Sequence, residues 1–328
     1  VRWDAAHGTA VTDTGREVPF DKLALTTGAD VRRLGVEGED LDGVRYLRGM
    51  ADAQGLKQRW DASTNVVVIG GGFIGLEVAA VARKNGKTTT VVHRNTRLLS
   101  RVVAPETSEF FKQAHERRGT TIRLNTNFSR FLGENGTVTG VELEGGEVIP
   151  ADLVMVGVGV IPRSDLAEKL GLELANGSIV VDAQARTSDP RVLAAGDAVT
   201  MPHPLTQEGQ IVLESVQNAV DQAKVAAKTI MGEEAVYTAV PWFWSDQDTM
   251  KLQMAGLNIG YDQTVVRENP DEEKFSVLYY KNGRVIAIDS VNEVLDYMAV
   301  RKALGAGQNM PADKVADTSV KLKDLVED

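Results

Sequence analysis

The pattern of hydrophobic and polar positions predicts short buried strands alternating with amphipathic helices along most of the chain. Its clearest part is the β-branched run at residues 66–69, which stops at three glycines and is followed directly by the helical pattern LEVAAVARKNG. A buried strand, a tight turn and a helix in this order are typical of a parallel α/β fold. The segment ESVQNAVDQAKVAAKTIMG also has helical spacing, and Gly232 is placed to end that helix as its C-cap.

A repeated pattern indicates that such a domain occurs twice. The segment GREVPFDKLALTTGA from Gly15 resembles GEVIPADLVMVGVGV from Gly146, at an offset of 131 residues. In each, a polar turn leads through a proline into a buried strand that ends at glycine, although two such segments could also arise independently. The glycine-rich turn precedes the second copy, so the same offset places the matching turn of the first copy before Val1. We therefore expect the sequence to lack the amino-terminal part of its first domain.

Towards the carboxyl end the pattern changes to short strands. Three strand patterns follow one another, KLQMAGLN, FSVLYY and RVIAIDSV, and a KNG turn joins the last two. The predicted fold is therefore α/β, with two Rossmann-like three-layer dinucleotide-binding domains, the first truncated at its N-terminus, and a C-terminal α+β domain. The predicted boundaries are 1–60 with 183–236 for the first domain, 61–182 for the second and 237–328 for the third.

Composition excludes several functions. The formal net charge of −10 argues against nucleic acid or an anionic membrane as a partner. The longest apolar run, LVMVGVGVIP, has about half of the roughly 20 residues that a membrane span needs, so we expect a cytoplasmic protein. None of the residues is cysteine, and the four histidines, His7, His93, His115 and His203, lack metal-ligand spacing. We predict no metal site and no catalytic side chain, and we assign the chemistry to a bound cofactor.

The glycine-rich turn is the strongest candidate site. Gly70, Gly72 and Gly75 fit the pattern GxGxxG between a strand and a helix. The first glycine permits the turn, the second lets the backbone approach a pyrophosphate, and the third lets the helix pack on the strand. Phe73 and Ile74 lie between them, where free N–H groups at the start of the helix can face phosphate. A purely structural turn is the alternative.

The segment TTVVHRNTR predicts which nicotinamide nucleotide is used. NAD-specific Rossmann domains place a carboxylate about 20 residues beyond the glycines, where it binds the ribose hydroxyls. His93 occupies that place, and Arg94 and Arg97 follow it. Because guanidinium groups bind phosphate well, we expect NADPH to be accepted, alone or together with NADH. Alternatively, both arginines point into solvent and NADH still works, because backbone contacts alone can hold the ribose.

A family resemblance is carried by three motifs, which are IGGGFIGLEVAA, TSDPRVLAAGDAV and PWFWSDQDTMKLQMAGL. The chain resembles the FAD-dependent pyridine nucleotide-disulfide reductase superfamily, and within it the ferredoxin reductases of bacterial oxygenase systems. The resemblance covers essentially the whole chain. PWFWSDQ is its most specific part, since it is characteristic of the ferredoxin reductase branch.

The resemblance implies roles for further residues. Those near FAD would be Thr27, Gly28, Ala29, Arg32, Gly196, Asp197, Glu214, Ser215, Val216, Gln217 and Trp244. Of these, Glu214 to Gln217 would open a helix whose N-terminus faces the flavin, and Trp244 would lie against the ring unless it is only a core tryptophan. Near the nicotinamide would be Gly157, Gly159 and Glu77, whose carboxylate has the helix dipole as its alternative partner.

The implied function is a flavoprotein ferredoxin reductase of a P450 or Rieske oxygenase system. Electrons would pass from NADH or NADPH through FAD to a [2Fe–2S] ferredoxin. One alternative is a reductase of a small acceptor such as a quinone or monodehydroascorbate. Another is a nonenzymatic nucleotide-binding protein of the apoptosis-inducing-factor type. The sequence leaves the oligomeric state open.

Overall fold

The computed structural model describes residues 2–4, 8–269 and 273–327, so His7 lies outside the described residues. Strands β1 to β12 are Arg2–Asp4, Thr9–Val11, Glu17–Pro19, Leu23–Leu25, Ala29–Val31, Val44–Tyr46, Asn65–Ile69, Thr88–Val92, Thr121–Arg123, Phe128–Glu134, Thr137–Leu143 and Val148–Pro150. Strands β13 to β24 are Leu153–Val156, Val160–Pro162, Leu174–Ala175, Ser178–Val180, Val192–Ala194, Val199–Pro202, Gln210–Ile211, Trp242–Gln247, Met250–Gly256, Gln263–Asn269, Lys274–Lys281 and Arg284–Val291. Helices α1 to α6 are Met50–Trp60, Phe73–Lys84, Pro105–Arg117, Asp165–Lys169, Val216–Ile230 and Val294–Ala306, and Leu322–Leu325 is a 3₁₀ helix.

Contacts between residues divide the chain into two compact units. The first unit contains residues 1–30 and 160–243, and the second contains 31–159 and 244–328. The second unit therefore combines the glycine-rich turn with the C-terminal strands, whereas residues 160–182 cluster with the first unit. The three domains drawn from the sequence stay a prediction.

A five-stranded parallel sheet forms the centre of the second unit. Its order is β6-β13-β7-β8-β9, with β7 beside both β13 and β8. Strand β7 is buried on both faces, which explains why its β-branched run is continuous rather than alternating. Val66 and Val68 pack with α2 on one face, and Val67 and Ile69 pack with β10 and β11 on the other.

The C-terminal part of the second unit is a five-stranded sheet of order β20-β21-β24-β23-β22, with antiparallel pairs from β21 onward. Strands β23 and β24 are joined at Asn282 and Gly283, which both have positive φ, as a tight hairpin turn requires. Leu76 of α2 and Phe111 of α3 share a buried core with the strand residues Leu252 and Tyr279. The glycine-rich turn and the C-terminal sheet therefore belong to one packed body.

A buried polar cluster also joins the start of α3 to the C-terminal sheet. The carboxylate of Asp289 on β24 accepts hydrogen bonds from the Tyr279 hydroxyl and from Thr107 Oγ1, the latter at 2.8 Å. The same Tyr279 oxygen accepts the Ala104 N–H at 2.6 Å, at the N-cap of α3. Burial raises the pKa of Asp289 to about 7, although both hydroxyl donors act in the opposite direction. We call these four residues the Asp289 cluster.

The first unit contains smaller sheets and one long helix. Strand β4 pairs in parallel with β17, while β15, β16, β18 and β19 form a four-stranded sheet. A core that includes Leu25, Ile179 and Val192 holds these strands together. Helix α5 ends at Ile230, and Gly232 has a φ of 80°, in agreement with the predicted end of this helix.

The two repeated segments have matching local structure. Strand β3 corresponds residue for residue to β12 at the offset of 131, and β4 corresponds to the last three residues of β13. The glycines that follow, Gly28 and Gly159, have φ values of 68° and 105°. Positive φ is a backbone conformation that glycine adopts without strain, which explains the residue at both places.

Candidate functional site

The glycine-rich turn lies at the carboxyl end of β7. Gly70 donates its N–H to the Val92 oxygen at 2.9 Å, and a Cβ on Gly70 would lie 2.2 Å from the Gly157 oxygen. A Cβ on Gly75 would lie 2.2 Å from the Gly70 oxygen. Because these contacts are with backbone atoms, which cannot move aside, no larger residue fits at either position.

Gly72 has a different environment. It is the N-cap of α2 with an extended backbone that any residue adopts, and a Cβ built there would meet no atom within 4 Å. Glycine at this position is therefore not required by the packing of the protein itself. Open space at a helix N-terminus, beside free N–H groups, fits an approaching pyrophosphate. Phe73 and Ile74 form the start of this helix, and Ile74 is 42% exposed.

His93 lies where the sequence placed it, at the carboxyl end of β8. Its Nδ1 accepts the N–H of Gly71 at 3.1 Å, so the ring is held against the glycine-rich turn. Burial lowers the pKa of His93, and the nearby Arg94 and Arg101 lower it further. We therefore infer a neutral ring that braces the turn.

Arg94 and Arg97 differ from each other. Arg94 is exposed at the end of β8. Arg97 donates from Nη1 to the Val103 oxygen and to Ser108 Oγ, and from Nη2 to the Ser100 oxygen, each at 2.8 Å. Its guanidinium is therefore bonded to the segment before α3 and to the start of that helix, which makes Arg94 the better placed of the two for contact with a phosphate.

Glu77 lies on α2, one turn beyond the glycines. Its Oε1 accepts a hydrogen bond from Ser245 Oγ on β20 at 2.6 Å. Burial raises the pKa of Glu77, as does the charge of Asp246, while the Ser245 bond acts in the opposite direction. Glu77 therefore faces the C-terminal sheet.

Most of the residues that the resemblance linked to FAD lie in the first unit, whereas Arg32 and Trp244 belong to the second. Because β4 and β17 are parallel, the segments after them, which contain Gly28 and Gly196, emerge at the same edge. The Gly196 N–H donates to Gln222 Oε1 on α5 at 2.8 Å, which holds this loop against the helix. Asp197, the next residue, is half-buried. Strand ends that meet the start of a long helix in this way can hold an anionic ligand.

The loop after β4 is fixed by the segment around Arg163. Thr27 Oγ1 donates to the Arg163 oxygen at 2.6 Å, and the Gly28 oxygen accepts the Arg163 N–H at 2.9 Å. Ala29 is buried, with 3% of its surface exposed. Arg32 is exposed and belongs to the second unit, where its N–H donates to the Gly159 oxygen at 3.0 Å.

Helix α5 begins as the sequence predicted. Ser215 is its N-cap, and its side chain accepts the Asn218 N–H at 3.1 Å. Val216 and Glu214 are exposed there. The Gln217 side chain is buried, and it bonds Asp221 Oδ2 at 2.8 Å, the Tyr237 hydroxyl and the Trp242 N–H. These bonds hold the Gln217 side chain against the protein at the start of α5.

The remaining predicted residues are accessible. Trp244 on β20 is 41% exposed, which excludes a fully buried core tryptophan. Gly157 and Gly159 follow β13, and Gly157 donates its N–H to the Ile69 oxygen at 2.8 Å. They therefore lie at the same sheet edge as the glycine-rich turn.

Three functional candidates were missed by sequence reasoning: Ser245, Gln247 and His115. Gln247 Nε2 donates to Ser245 Oγ at 3.2 Å, and Gln247 Oε1 lies 2.8 Å from His115 Nε2. All three side chains are buried. A signal was present in WSDQ, where polar residues two apart fall on one face of a strand.

Family profiles agree with this geometry. The profile of the pyridine nucleotide-disulphide oxidoreductase family matches residues 1–223, and a reductase C-terminal profile matches residues 242–326. The first match covers more than half of the chain. The chain therefore belongs to the pyridine nucleotide-disulphide oxidoreductase family.

Individual relatives are more specific. A ferredoxin–NAD(P)⁺ reductase of Sphingomonas sp. is 45% identical over 293 residues, which are 89% of this chain and 70% of that protein. The ferredoxin reductase of the CYP199A2 system from Rhodopseudomonas palustris matches with a TM-score of 0.95 and 39% identity, covering 100% of this chain and 80% of that one. The covalent putidaredoxin reductase–putidaredoxin complex matches with a TM-score of 0.93 and 36% identity, covering 98% and 78%.

These matches confirm the family, the fold class and the class of enzyme predicted from sequence: an oxidoreductase that uses FAD and NAD(P)H. The roles of individual residues stay predictions. In the described part of the chain, no helix is both long and apolar enough to cross a membrane.

Proposed function

We propose that this protein is a flavoprotein reductase that passes electrons from NAD(P)H through FAD to a [2Fe–2S] ferredoxin. The observation that carries the proposal is the open backbone at Gly72, at the start of α2 and the carboxyl edge of a parallel sheet. It occurs in a chain that belongs to a pyridine nucleotide oxidoreductase family and matches the reductase C-terminal profile. The ferredoxin partner is inferred from the relatives named above.

The second unit would bind the pyridine nucleotide. The N-terminus of α2 would face its pyrophosphate, and Gly157 and Gly159 would leave room for its ribose. His93 would keep the turn in shape through its bond to Gly71.

The first unit would bind FAD through the loops at residues 26–29 and 195–197 and through the start of α5. When bound, FAD would supply the redox chemistry, which is hydride acceptance from NAD(P)H and one-electron transfer to an iron–sulfur protein. The N-terminus of α5 offers free N–H groups and the positive end of the helix dipole, which favour negative charge on a ligand. These protein groups bind and orient, and no acid or base is required from a side chain.

A substitution at Gly72 tests the nucleotide site. Because a Cβ there meets no protein atom, Gly72→Ala should leave the fold and the flavin absorbance unchanged. Its methyl group would occupy the path of the pyrophosphate, so we expect the KM for NAD(P)H to rise by about tenfold or more. Steady-state reduction of a [2Fe–2S] ferredoxin measures this.

The matched control is Gly55→Ala on α1, where the nearest atom to a Cβ is Arg45 Nε at 3.8 Å. This variant should keep the wild-type KM. If Gly72→Ala also kept it, the glycine-rich turn would not hold the pyrophosphate. Rapid turnover of a quinone, with no response to added ferredoxin, would instead favour the small-acceptor reductase.

Arg94 is our candidate for contact with a 2′-phosphate. The residue is exposed at the end of β8, where the adenosine ribose binds in Rossmann domains. We expect Arg94→Ala to lower kcat/KM for NADPH by about tenfold, since one charge-assisted contact is lost. NADH is the internal control, and equal losses with both nucleotides would contradict phosphate recognition.

A further inference from the structure

A continuous chain of polar side chains leads from the nucleotide-binding helix into the C-terminal sheet. Ser245 Oγ lies 2.6 Å from Glu77 Oε1, Gln247 Nε2 lies 3.2 Å from Ser245 Oγ, and His115 Nε2 lies 2.8 Å from Gln247 Oε1. Ser245, Gln247 and His115 are each at most 1% exposed. We call these four residues the Glu77 chain.

The hydrogen-bonding capacity of each group gives the chain a direction. The Glu77 carboxylate only accepts, so Ser245 uses its single hydrogen on Glu77 and accepts from the Gln247 amide. The Gln247 oxygen must then accept, which assigns a hydrogen to His115 Nε2. Every donor therefore points towards Glu77, and each bond polarises the next in the same sense.

The two ends of the Glu77 chain have different surroundings. At Glu77 the facing charge is Asp246 on β20. At the other end His115 borders a cavity of about 210 Å³, which is lined by Arg83 and Lys84 of α2 and by Arg118, Thr120 and Asp248. Burial lowers the pKa of His115, and so does Arg118, whereas the Gln247 bond raises it. His115 is consequently neutral near pH 7, and the Nε2–H tautomer is the one this network needs.

We propose that Ser245, Gln247 and His115 are positioning residues that hold Glu77 as a fixed anion at the nicotinamide end of the nucleotide site. The proposal rests on the proposed function, which puts the pyridine nucleotide at this helix. An amide passes no proton without becoming an imidic acid, so the Glu77 chain orients and polarises rather than conducts protons.

A fixed carboxylate in this position has a consequence for ligand choice. The oxidised nicotinamide ring carries a positive charge and the reduced ring is neutral. Glu77 would therefore favour the oxidised nucleotide, and a loosened or protonated Glu77 would favour it less. The ratio of the two dissociation constants measures this effect, because a general loss of packing would weaken both ligands alike.

The experiment measures equilibrium binding to the FAD-loaded protein. The ligands are NAD(P)⁺ and the neutral tetrahydronicotinamide analogue, which cannot transfer a hydride. We expect Glu77→Gln to remove about fivefold or more of the preference for NAD(P)⁺, and Ser245→Ala and Gln247→Met to remove a large part of it. Adding Ser245→Ala to Glu77→Gln should change nothing further, because both act through one carboxylate.

One control variant and two possible outcomes decide the result. Ser276→Ala removes a buried serine that bonds Ser290 instead of Glu77, and it should leave the ratio unchanged. An unchanged ratio in Glu77→Gln would overturn the placing of Glu77 at the nicotinamide and so count against the proposed function. A changed ratio in Glu77→Gln with wild-type ratios in folded Ser245→Ala and Gln247→Met would overturn this inference alone.

Nuclear magnetic resonance tests the direction of the hydrogen bonds in the Glu77 chain without any ligand. Nitrogen NMR of the imidazole rings should show His115 as the Nε2–H tautomer, assigned by its loss in His115→Gln. In Gln247→Met the hydrogen-bonded Nε2–H signal should be lost. An Nδ1–H tautomer in the wild type would contradict the direction of the Glu77 chain.

Discussion

The Glu77 chain and the Asp289 cluster both join the α2–α3 region to the C-terminal sheet, but their carboxylates differ in burial and in hydrogen bonding. The Asp289 carboxylate is fully enclosed, and both hydroxyls that bond it come from protein. Glu77 is only partly buried and accepts one bond, from Ser245. A closed polar cluster adds to the stability of one arrangement, whereas a carboxylate with remaining acceptor capacity can also act on a ligand. The contrast separates a structural from a functional use of buried polar groups.

The largest expected effect on stability at a single pH comes from opening the closed cluster. Asp289→Ala leaves the hydroxyls of Thr107 and Tyr279 buried without their acceptor and creates a cavity. At about pH 5 we expect a loss of about 3 kcal/mol in the free energy of unfolding. Urea unfolding at this pH measures the change in the free energy of unfolding. The folded variant should bind NAD(P)⁺ and its neutral analogue in the wild-type ratio, and a shifted ratio would mean that the two polar groups are coupled.

The next effect is the pH dependence of the same carboxyl group. The pKa of Asp289 is raised to about 7 in the folded protein, compared with about 3.9 in an unfolded chain. Between these values the folded state keeps a proton that the unfolded state releases, so this group makes stability fall as the pH rises from about 4 to about 7. Below about pH 4 the contribution of Asp289 to the free energy of unfolding is fully present. Above about pH 7 that contribution is lost.

Asp289→Asn keeps an acceptor for both hydroxyls and cannot ionise. We therefore expect this variant to lose that part of the slope, a difference from the wild type of up to about 4 kcal/mol between the ends of the window. Unfolding experiments at several pH values give the two curves. Parallel curves would show that Asp289 does not titrate as its burial requires.

The smallest effect on stability is expected in the Glu77 chain. Ser245→Ala removes two hydrogen bonds, the one that Ser245 donates to Glu77 and the one that it accepts from the buried Gln247 amide. The partly exposed Glu77 can turn to water, so we expect a loss of about 2 kcal/mol in the free energy of unfolding. The same variant should change ligand selectivity, which Asp289→Ala should not. A stability loss as large as that of Asp289→Ala would show that the Glu77 chain, like the Asp289 cluster, serves mainly to stabilise the fold.

Local patterns in the sequence determined the family and much of the fold. The β-branched run of β7, the glycine spacing and the KNG hairpin each depend on residues close together in the chain. The repeat also gave strands at matching positions, since a proline, a buried strand and a positive-φ glycine are local constraints. Such features are fixed by backbone geometry and side-chain period.

Roles that depend on side-chain direction were decided only by the tertiary structure. Arg97 has the right residue type and spacing for phosphate, but its guanidinium bonds the carbonyls before α3. Gln217 lies at the expected helix start, but its side chain is buried in protein bonds. His115 and Gln247 are 132 positions apart and meet only because α3 packs on the C-terminal sheet. A sequence specifies which groups can donate or accept, and the packing of distant elements determines which of them meet.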